Sequence, residues 1–120
     1  MSKKTLVIGA STKPERISFQ AIERLTQHGH KVAAIGLKHG TVAGVIIQTS
    51  QLNYTDIDTV TLYLSPENQK SQYEYILNLK PKRIIFNPGT ENPELVNLAQ
   101  QKGIETEYAC TLVLLATNAY

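Results

Sequence analysis

The feature that most constrains this chain is a short apolar run that stops at a glycine, passes through a small, basic turn and enters a segment of helical spacing. Leu6, Val7 and Ile8 form the run, as expected for a parallel strand covered on both faces, and Gly9 allows backbone angles that a side chain would forbid. In folds of this kind, ligands bind in the crevice outside the carboxyl ends of the strands. A helix that begins beside the crevice directs unpaired N–H groups into it, which favours an anionic ligand.

The length and composition of the chain limit its class. A chain of 120 residues with 42% hydrophobic content predicts one globular domain, spanning residues 1–120. The 12 basic and 10 acidic residues form no block of like charge, which argues against a nucleic-acid-binding face. One cysteine, the lack of a cleavable signal segment and the lack of a long apolar run predict a cytoplasmic protein that does not contact membranes.

Strand-like and helix-like segments alternate five times along the chain. The predicted strands cover residues 6–8, 32–35, 59–64, 83–86 and 104–108. The predicted helices cover residues 18–29, 66–79, 93–101 and 110–117, with the last packed on the sheet edge, and residues 41–49 form a short edge strand or an irregular extension. This alternation predicts a single Rossmann-like α/β domain with a five-stranded, mostly parallel sheet and helices on both faces.

Capping residues mark the predicted helix starts. Ser18 is the predicted N-cap of the first helix, with Ile17 and Ile22 as its hydrophobic staple, and Arg16 then lies just outside the helix. Ser65-Pro66 and Asn92-Pro93 each combine a capping side chain with a proline suited to the first helical position.

The basic turn does not match the dinucleotide fingerprint. The string Gly9-Ala10-Ser11-Thr12-Lys13-Pro14 lacks the second and third glycines of G-x-G-x-x-G, and Gly36-Leu37-Lys38 supplies no acidic residue for a ribose. Lys13, Arg16 and Lys38 instead suit a nucleotide with an additional phosphate. From these residues alone, NADP and coenzyme A (CoA) remain equally suitable.

Three strings in the sequence resemble the small stand-alone CoA-binding proteins, which are similar to the CoA-binding domain of the succinyl-CoA synthetase alpha subunit. The strings are Gly9-Ala10-Ser11-Thr12-Lys13-Pro14-Glu15-Arg16, Phe86-Asn87-Pro88-Gly89-Thr90-Glu91-Asn92 and Ala109-Cys110-Thr111-Leu112-Val113-Leu114-Leu115. The resemblance covers nearly the whole chain. It implies a Rossmann-like fold that binds CoA or an acyl-CoA.

The resemblance also implies which residues contact the ligand. The turn at Gly9 and Ala10 would bind CoA phosphates through Ser11, Thr12 and Arg16, and Lys38 would contribute from the loop after the second strand. Ser65 and Pro66 would border the pantetheine path, and the turn formed by Asn87, Pro88 and Gly89 is a further candidate contact. Many relatives carry Asn-Pro after the second strand, where this chain has Gly36-Leu37.

No catalytic or metal-binding residue is predicted. Cys110 precedes an apolar stretch without a local activating partner, which predicts a buried structural thiol. His28 and His30 flank a helix end, which favours surface or capping roles, and Asp56 and Asp58 precede a strand, which favours a turn. The catalytic histidine of succinyl-CoA synthetase belongs to a second domain that the matched region lacks, so the resemblance implies binding rather than ligase activity.

The sequence is also compatible with two other functions. The chain could be an enzyme that uses NADP or a CoA thioester, or a Rossmann-like protein-interaction module with a vestigial nucleotide site. The apolar closing segment and Tyr120 could cover a homodimer interface or the sheet edge, and a larger protein partner is equally compatible.

Overall fold

A computed structural model describes residues 2–120, and within them the sheet has seven strands rather than the predicted five. The strands are β1 (Thr5–Ala10), β2 (Val32–Gly36), β3 (Gly40–Val42), β4 (Val45–Gln48), β5 (Thr59–Leu62), β6 (Arg83–Phe86) and β7 (Glu105–Tyr108). Their spatial order is β3-β4-β2-β1-β5-β6-β7. Every neighbouring pair is parallel except β3 and β4. The Rossmann-like α/β class is therefore confirmed, and only the strand number differs.

The two additional strands come from residues 40–48. This segment is an antiparallel hairpin in which Val42 pairs with Val45 across Ala43 and Gly44. Both turn residues have positive φ angles, 50° and 80°, as a two-residue hairpin turn requires. Gly44, which the sequence analysis interpreted as an interruption of one strand, is thus the turn between two strands.

Helices cover both faces of the sheet. They are α1 (Ile17–Gln27), α2 (Pro66–Gln69), α3 (Tyr73–Leu79), α4 (Pro93–Gln101) and α5 (Thr111–Ala116). One core layer lies against α3 and α4, and the other lies against α1 and α5. The fully buried Leu6 and Val7, neighbours on β1, point into opposite layers, as alternating strand residues must.

The predicted cap of α1 is wrong. The helix begins at Ile17, its N-cap is Arg16 in an extended conformation, and the Arg16 side chain makes no capping hydrogen bond. The turn before it is closed by the Arg16 N–H, which donates to the Lys13 carbonyl at 3.0 Å, so the N-cap lies two residues earlier than Ser18. Ser18 is buried inside the first turn, whereas Ile17 is 52% exposed and does not form the predicted staple.

The predicted helices at residues 66–79 and 110–117 also differ in detail. The first is divided by a 3₁₀ turn at Lys70–Gln72, directly after Gln69 turns its side chain into the core. The second, α5, packs beside α1 on the sheet face, where Leu115 joins the core, and does not cover the sheet edge. Tyr120 packs within its own chain, because its hydroxyl lies 2.6 Å from Thr5 Oγ1 and the Arg83 guanidinium lies 4.5 Å from its ring centroid.

A buried amide holds the loop after β6 against the start of α2. Gln69 is fully buried, and its side-chain nitrogen donates to the carbonyls of Leu64 and Thr90, both at 2.8 Å. Its side-chain oxygen accepts from Asn92 at 2.9 Å, and Asn92 in turn caps α4 through the Leu95 N–H. All hydrogen-bonding atoms of the Gln69 amide therefore serve to position this loop.

Two glycines allow the strand ends to approach each other at the carboxyl edge of the sheet. Gly9 has a φ angle of +94°, and a Cβ on it would lie 2.9 Å from the carbonyl carbon of Tyr63. Gly36 pairs with Ala10, and a Cβ on Gly36 would overlap the Ala10 carbonyl oxygen. The turn after β1 is thus confined between the ends of β5 and β2.

We expect Gly9→Ala to destabilise the protein more than Gly29→Ala. Both glycines have positive φ angles, which should cost an alanine about 1–3 kcal/mol, but within residues 2–120 a Cβ at Gly29 would have no neighbour within 4 Å. The clash with Tyr63 should add about 1 kcal/mol or more at Gly9. Urea denaturation of both variants measures the difference, and equal losses would show that β1 and β5 can separate at this point.

We expect Gln69→Leu to lower the free energy of unfolding by about 2–4 kcal/mol, because two carbonyls and the Asn92 amide lose a buried partner. Gln101→Leu, at an exposed position on α4, is the matched control and should change stability by less than about 0.5 kcal/mol. Thermal or urea unfolding of the two variants tests this expectation. Similar small effects in both would mean that water replaces the Gln69 amide.

Candidate functional site

A large crevice opens at the carboxyl ends of β1, β2 and β5. Its volume is about 960 Å³. The structure brings together here the predicted contact residues from the first turn and from the loop after β2, namely Gly9, Ala10, Ser11, Thr12, Arg16 and Lys38. Residues far apart in the sequence therefore face one space, because parallel strands end at the same edge.

The first turn is shaped by its own hydrogen bonds. The Ser11 hydroxyl oxygen accepts from the Lys13 N–H at 3.1 Å, so its hydrogen remains available to a group in the crevice. Thr12 is exposed and packs closely against Gly40, where a Cβ would overlap the Thr12 methyl group. The turn thus presents hydroxyl groups to the crevice, and the first residue of β3 packs against it.

Positive charge surrounds this crevice. Lys13, Arg16 and Lys38 line it, and all three are exposed. Among residues 2–120, none of the three forms a salt bridge, and Glu15 is the single carboxylate in the crevice lining. The crevice therefore offers three cations to an anionic ligand, and no neighbouring carboxylate competes for them at contact distance.

A smaller recess adjoins the crevice. It has a volume of about 260 Å³ and contains four predicted contact residues, Ser65, Asn87, Pro88 and Gly89. Pro66, the first residue of α2, lines neither space. Ile17 and Tyr63 line both spaces, so the recess and the crevice are continuous around these two side chains.

The Asn87 side chain is engaged inside the protein. It is 2% exposed, and its nitrogen donates to Thr61 Oγ1 at 2.6 Å and to the Leu62 carbonyl at 2.9 Å. Its oxygen accepts from the Thr111 N–H at 2.9 Å. Asn87 therefore ties β6, β5 and α5 together, and the exposed Pro88 and Gly89 that follow it form the surface of the recess.

Tyr63 presents its ring to both spaces and buries its hydroxyl. Within residues 2–120 this hydroxyl has no hydrogen-bond partner, and the nearby hydroxyls of Thr61 and Thr111 lie 2.8 Å from each other. Burial raises the pKa of Tyr63 to about 12. The side chain is therefore neutral at physiological pH and acts as an apolar wall.

Cys110 is not the buried thiol that the sequence analysis predicted. It is partly exposed, occupies the N-cap position of α5 and lines the recess. Its position two residues beyond β7 is the signal that could have placed it at the carboxyl edge. Leu37 and Tyr63, which directly follow β2 and β5, were not predicted as site residues, and neither was Ile17 at the start of α1, because apolar side chains carry no ligand-binding motif.

Other residues singled out in the sequence have local structural roles. The His28 ring lies 2.8 Å from the Arg24 carbonyl at the end of α1, which confirms its capping role. His30 accepts from the Lys3 N–H at 2.9 Å. Asp56 has a φ angle of 57°, in agreement with the predicted turn.

Among residues 2–120, no helix is both long enough and apolar enough to cross a lipid bilayer.

Comparison with solved structures found several similar folds. One is the crystal structure of an uncharacterized protein, 48% identical, covering 100% of this chain and 99% of that chain with a TM-score of 0.97. A hypothetical protein from Pyrococcus horikoshii OT3 is 28% identical, with 93% and 80% of the two chains covered and a TM-score of 0.83. A Thermus thermophilus structure, 20% identical with a TM-score of 0.86 over 99% and 91% of the chains, shows the shared fold alone. A search of curated proteins found no match.

The family model described as a CoA binding domain matches residues 3–116. The match includes the turn after β1, the loop after β6, all seven strands and all five helices. The chain therefore belongs to the CoA-binding domain family.

Proposed function

We propose that this protein binds coenzyme A or an acyl-CoA in the crevice at the carboxyl edge of the sheet, and that it does so without catalysing a reaction. The observation that carries this proposal is the set of three cations, Lys13, Arg16 and Lys38, that face one crevice and have no salt-bridge partner within residues 2–120. CoA carries a pyrophosphate and a ribose 3′-phosphate, so it presents two separate anionic groups to such a site. Membership of the CoA-binding domain family supports the same ligand class.

The pyrophosphate suits the first turn. Helix α1 is 11 residues long and starts directly after this turn, so its unpaired N–H groups and positive dipole end face the crevice. Arg16 is the N-cap, and its guanidinium makes no capping bond. A guanidinium can donate two parallel hydrogen bonds to phosphate oxygens, and Ser11 can add a third donor.

The 3′-phosphate suits Lys38. The register of β1 and β2 pairs Ala10 with Gly36, so the loop that carries Lys38 lies directly beside the turn that carries Arg16. The two cations can therefore contact different phosphates of one ligand. Because this loop contains no carboxylate, it lacks the group that holds the unmodified ribose of NAD.

The proposal of binding without catalysis rests on the surroundings of Cys110. In the described part of the chain, no histidine lines the recess or the crevice, so the thiol has no imidazole base beside it there. The crevice is suited to recognising phosphates, and the recess is suited to apolar contact with the other end of the ligand.

A thermal-shift panel of CoA, acetyl-CoA, NAD and NADP tests the proposed function. A ligand at a hundred times its dissociation constant stabilises a protein by about 2.7 kcal/mol, which corresponds to an increase in Tm of about 10 °C for a domain of this size. We expect this increase with CoA or acetyl-CoA and a negligible change with NAD. The purified protein should leave acetyl-CoA and NADPH chemically unchanged. A larger shift with NADP, or turnover of either compound, would contradict the proposal.

We expect Lys38→Ala to weaken CoA but not dephospho-CoA, and Arg16→Ala to weaken both. Each exposed charge-assisted contact should contribute about 1 kcal/mol, or about fivefold in affinity. Titration calorimetry at low salt can measure the affinities, with Lys102→Ala, an exposed lysine at the end of α4, as the matched control. Equal losses for both ligands in Lys38→Ala would remove Lys38 from the 3′-phosphate, and an unaffected Arg16→Ala would remove Arg16 from the pyrophosphate.

A further inference from the structure

The small recess beside the crevice has a chemistry of its own. We infer that it receives the acyl group of a short, uncharged acyl-CoA, with Ile17 at the boundary where the ligand passes from the crevice into the recess. This inference rests on the proposed function, because it assigns the end of the same ligand. It extends that function from a ligand class to a choice among acyl groups.

The position of the recess supports this assignment. Ile17 and Tyr63 line both spaces, so a ligand that extends past them from the crevice enters the recess. Ile17 is 52% exposed although it is the first residue of α1, directly after the proposed pyrophosphate contact Arg16. A ligand with its phosphates at the turn can therefore extend its opposite, thioester end past Ile17 toward the recess.

Polar groups of three recess residues, Asn87, Gly89 and Thr90, are already paired within the protein. The Asn87 amide bonds to β5 and α5, the Thr90 hydroxyl donates to the Asn87 carbonyl at 2.8 Å, and the Gly89 N–H donates to Glu91 Oε1 at 2.9 Å. Ile17 and Pro88 add aliphatic contacts, and Tyr63, Ser65 and Cys110 complete the lining. An occupant without hydrogen-bonding groups suits such walls, because it leaves none of its own polar atoms unpaired.

The charge of the recess excludes an acidic acyl group. Among residues 2–120, no lysine, arginine or histidine lines the recess, in contrast to the crevice beside it. The terminal carboxylate of a succinyl or malonyl thioester would therefore lose water without gaining a cation. Ser65 keeps a hydroxyl hydrogen at the rim, since its oxygen accepts from the Asn68 N–H at 3.4 Å, and this hydroxyl can donate to a thioester carbonyl.

The size of the recess limits the chain length. A volume of about 260 Å³ corresponds to roughly eight or nine water-sized groups, with each water counted at about 30 Å³. The thioethanolamine end of CoA together with an acyl group of two to four carbons is of this size. An acyl chain of eight or more carbons exceeds it and would extend into solvent.

A chain-length series on the unmodified protein tests the assignment. Titration calorimetry with CoA and with acetyl-, propionyl-, butyryl-, octanoyl- and succinyl-CoA should show affinity rising about two- to fourfold for each added methylene up to butyryl. Octanoyl-CoA should gain nothing over butyryl-CoA, and succinyl-CoA should bind at least about tenfold more weakly than butyryl-CoA.

A variant pair identifies the recess as the source of this preference. Cys110→Leu narrows the recess and should lower the affinity for butyryl-CoA more than the affinity for CoA, so that butyryl-CoA loses its advantage over CoA. Cys110→Ser, which keeps the size of the side chain, should retain this advantage. An unchanged advantage in Cys110→Leu would overturn the assignment. If Cys110→Leu fails to fold, Pro88→Ala, at an exposed wall residue, should reduce the butyryl advantage, and an unchanged advantage there would be equally contrary.

The outcomes distinguish this inference from the proposed function. CoA binding with affinities that do not depend on the acyl group would overturn the acyl assignment and leave the proposed function intact. Tighter binding of succinyl-CoA than of butyryl-CoA would do the same. The absence of binding by CoA and by every thioester would overturn the proposed function, and the acyl assignment with it.

Discussion

The close approach of Gly9 to the main chain of Tyr63 is the constraint on which the carboxyl edge of this protein depends. A Cβ would not fit between them, and because glycine has none, the end of β1 can lie against the end of β5 before the chain turns toward α1. On the β2 side, Gly36 likewise leaves no room for a Cβ, because a Cβ there would overlap the Ala10 carbonyl oxygen. The basic turn is therefore held between two neighbouring strands, and a loop with this little freedom loses little conformational entropy when a ligand binds.

The loop after β6, which contains Asn87, Pro88 and Gly89, is held in place by buried hydrogen bonds instead. Asn87 and Gln69 are buried amides whose hydrogen bonds reach β5, α5 and the start of α2. Leaving such groups unpaired is costly, so the network fixes the loop after β6 more firmly than apolar packing alone would. This arrangement separates two tasks: buried polar side chains hold the loop, and its exposed residues Pro88 and Gly89 form the surface that a ligand meets.

The sequence predicted the strands and helices that have strong local signals, and it failed where tertiary contacts decide. The bounds of β6 and α4 follow from an apolar run and from an Asn-Pro start, and both match the structure. The start of α1 could not be predicted from Ser18, because the turn closed by Lys13 already directs the chain into the helix. Gly44 could not be recognised as a hairpin turn, because an isolated glycine in a β-branched segment equally indicates a bulge or an interruption.

Among the residues of the candidate site, too, some could be identified from the sequence and others could not. Arg16 and Lys38 could be found from sequence, since cations after parallel strands converge at one edge. Ile17 and Tyr63 could not, because nothing in an apolar residue's type distinguishes a wall of a ligand site from the core. Cys110 was misplaced for a related reason: the apolar segment after it suggests burial, yet the residue is partly exposed and lines the recess.

The contrast between the two spaces bears on how a ligand would be selected. The cations of the crevice are exposed, and at physiological ionic strength charges more than about 8 Å apart are largely screened, so each contributes modestly to affinity. Many phosphorylated metabolites present similar charges, and these contacts alone discriminate poorly among them. Apolar contact is not screened by salt, and its free energy follows the area that is buried. Under the proposed function, the phosphate contacts would therefore define the class of ligand. The residues that line the recess, among them Ile17 and Cys110, would determine which member of that class binds best.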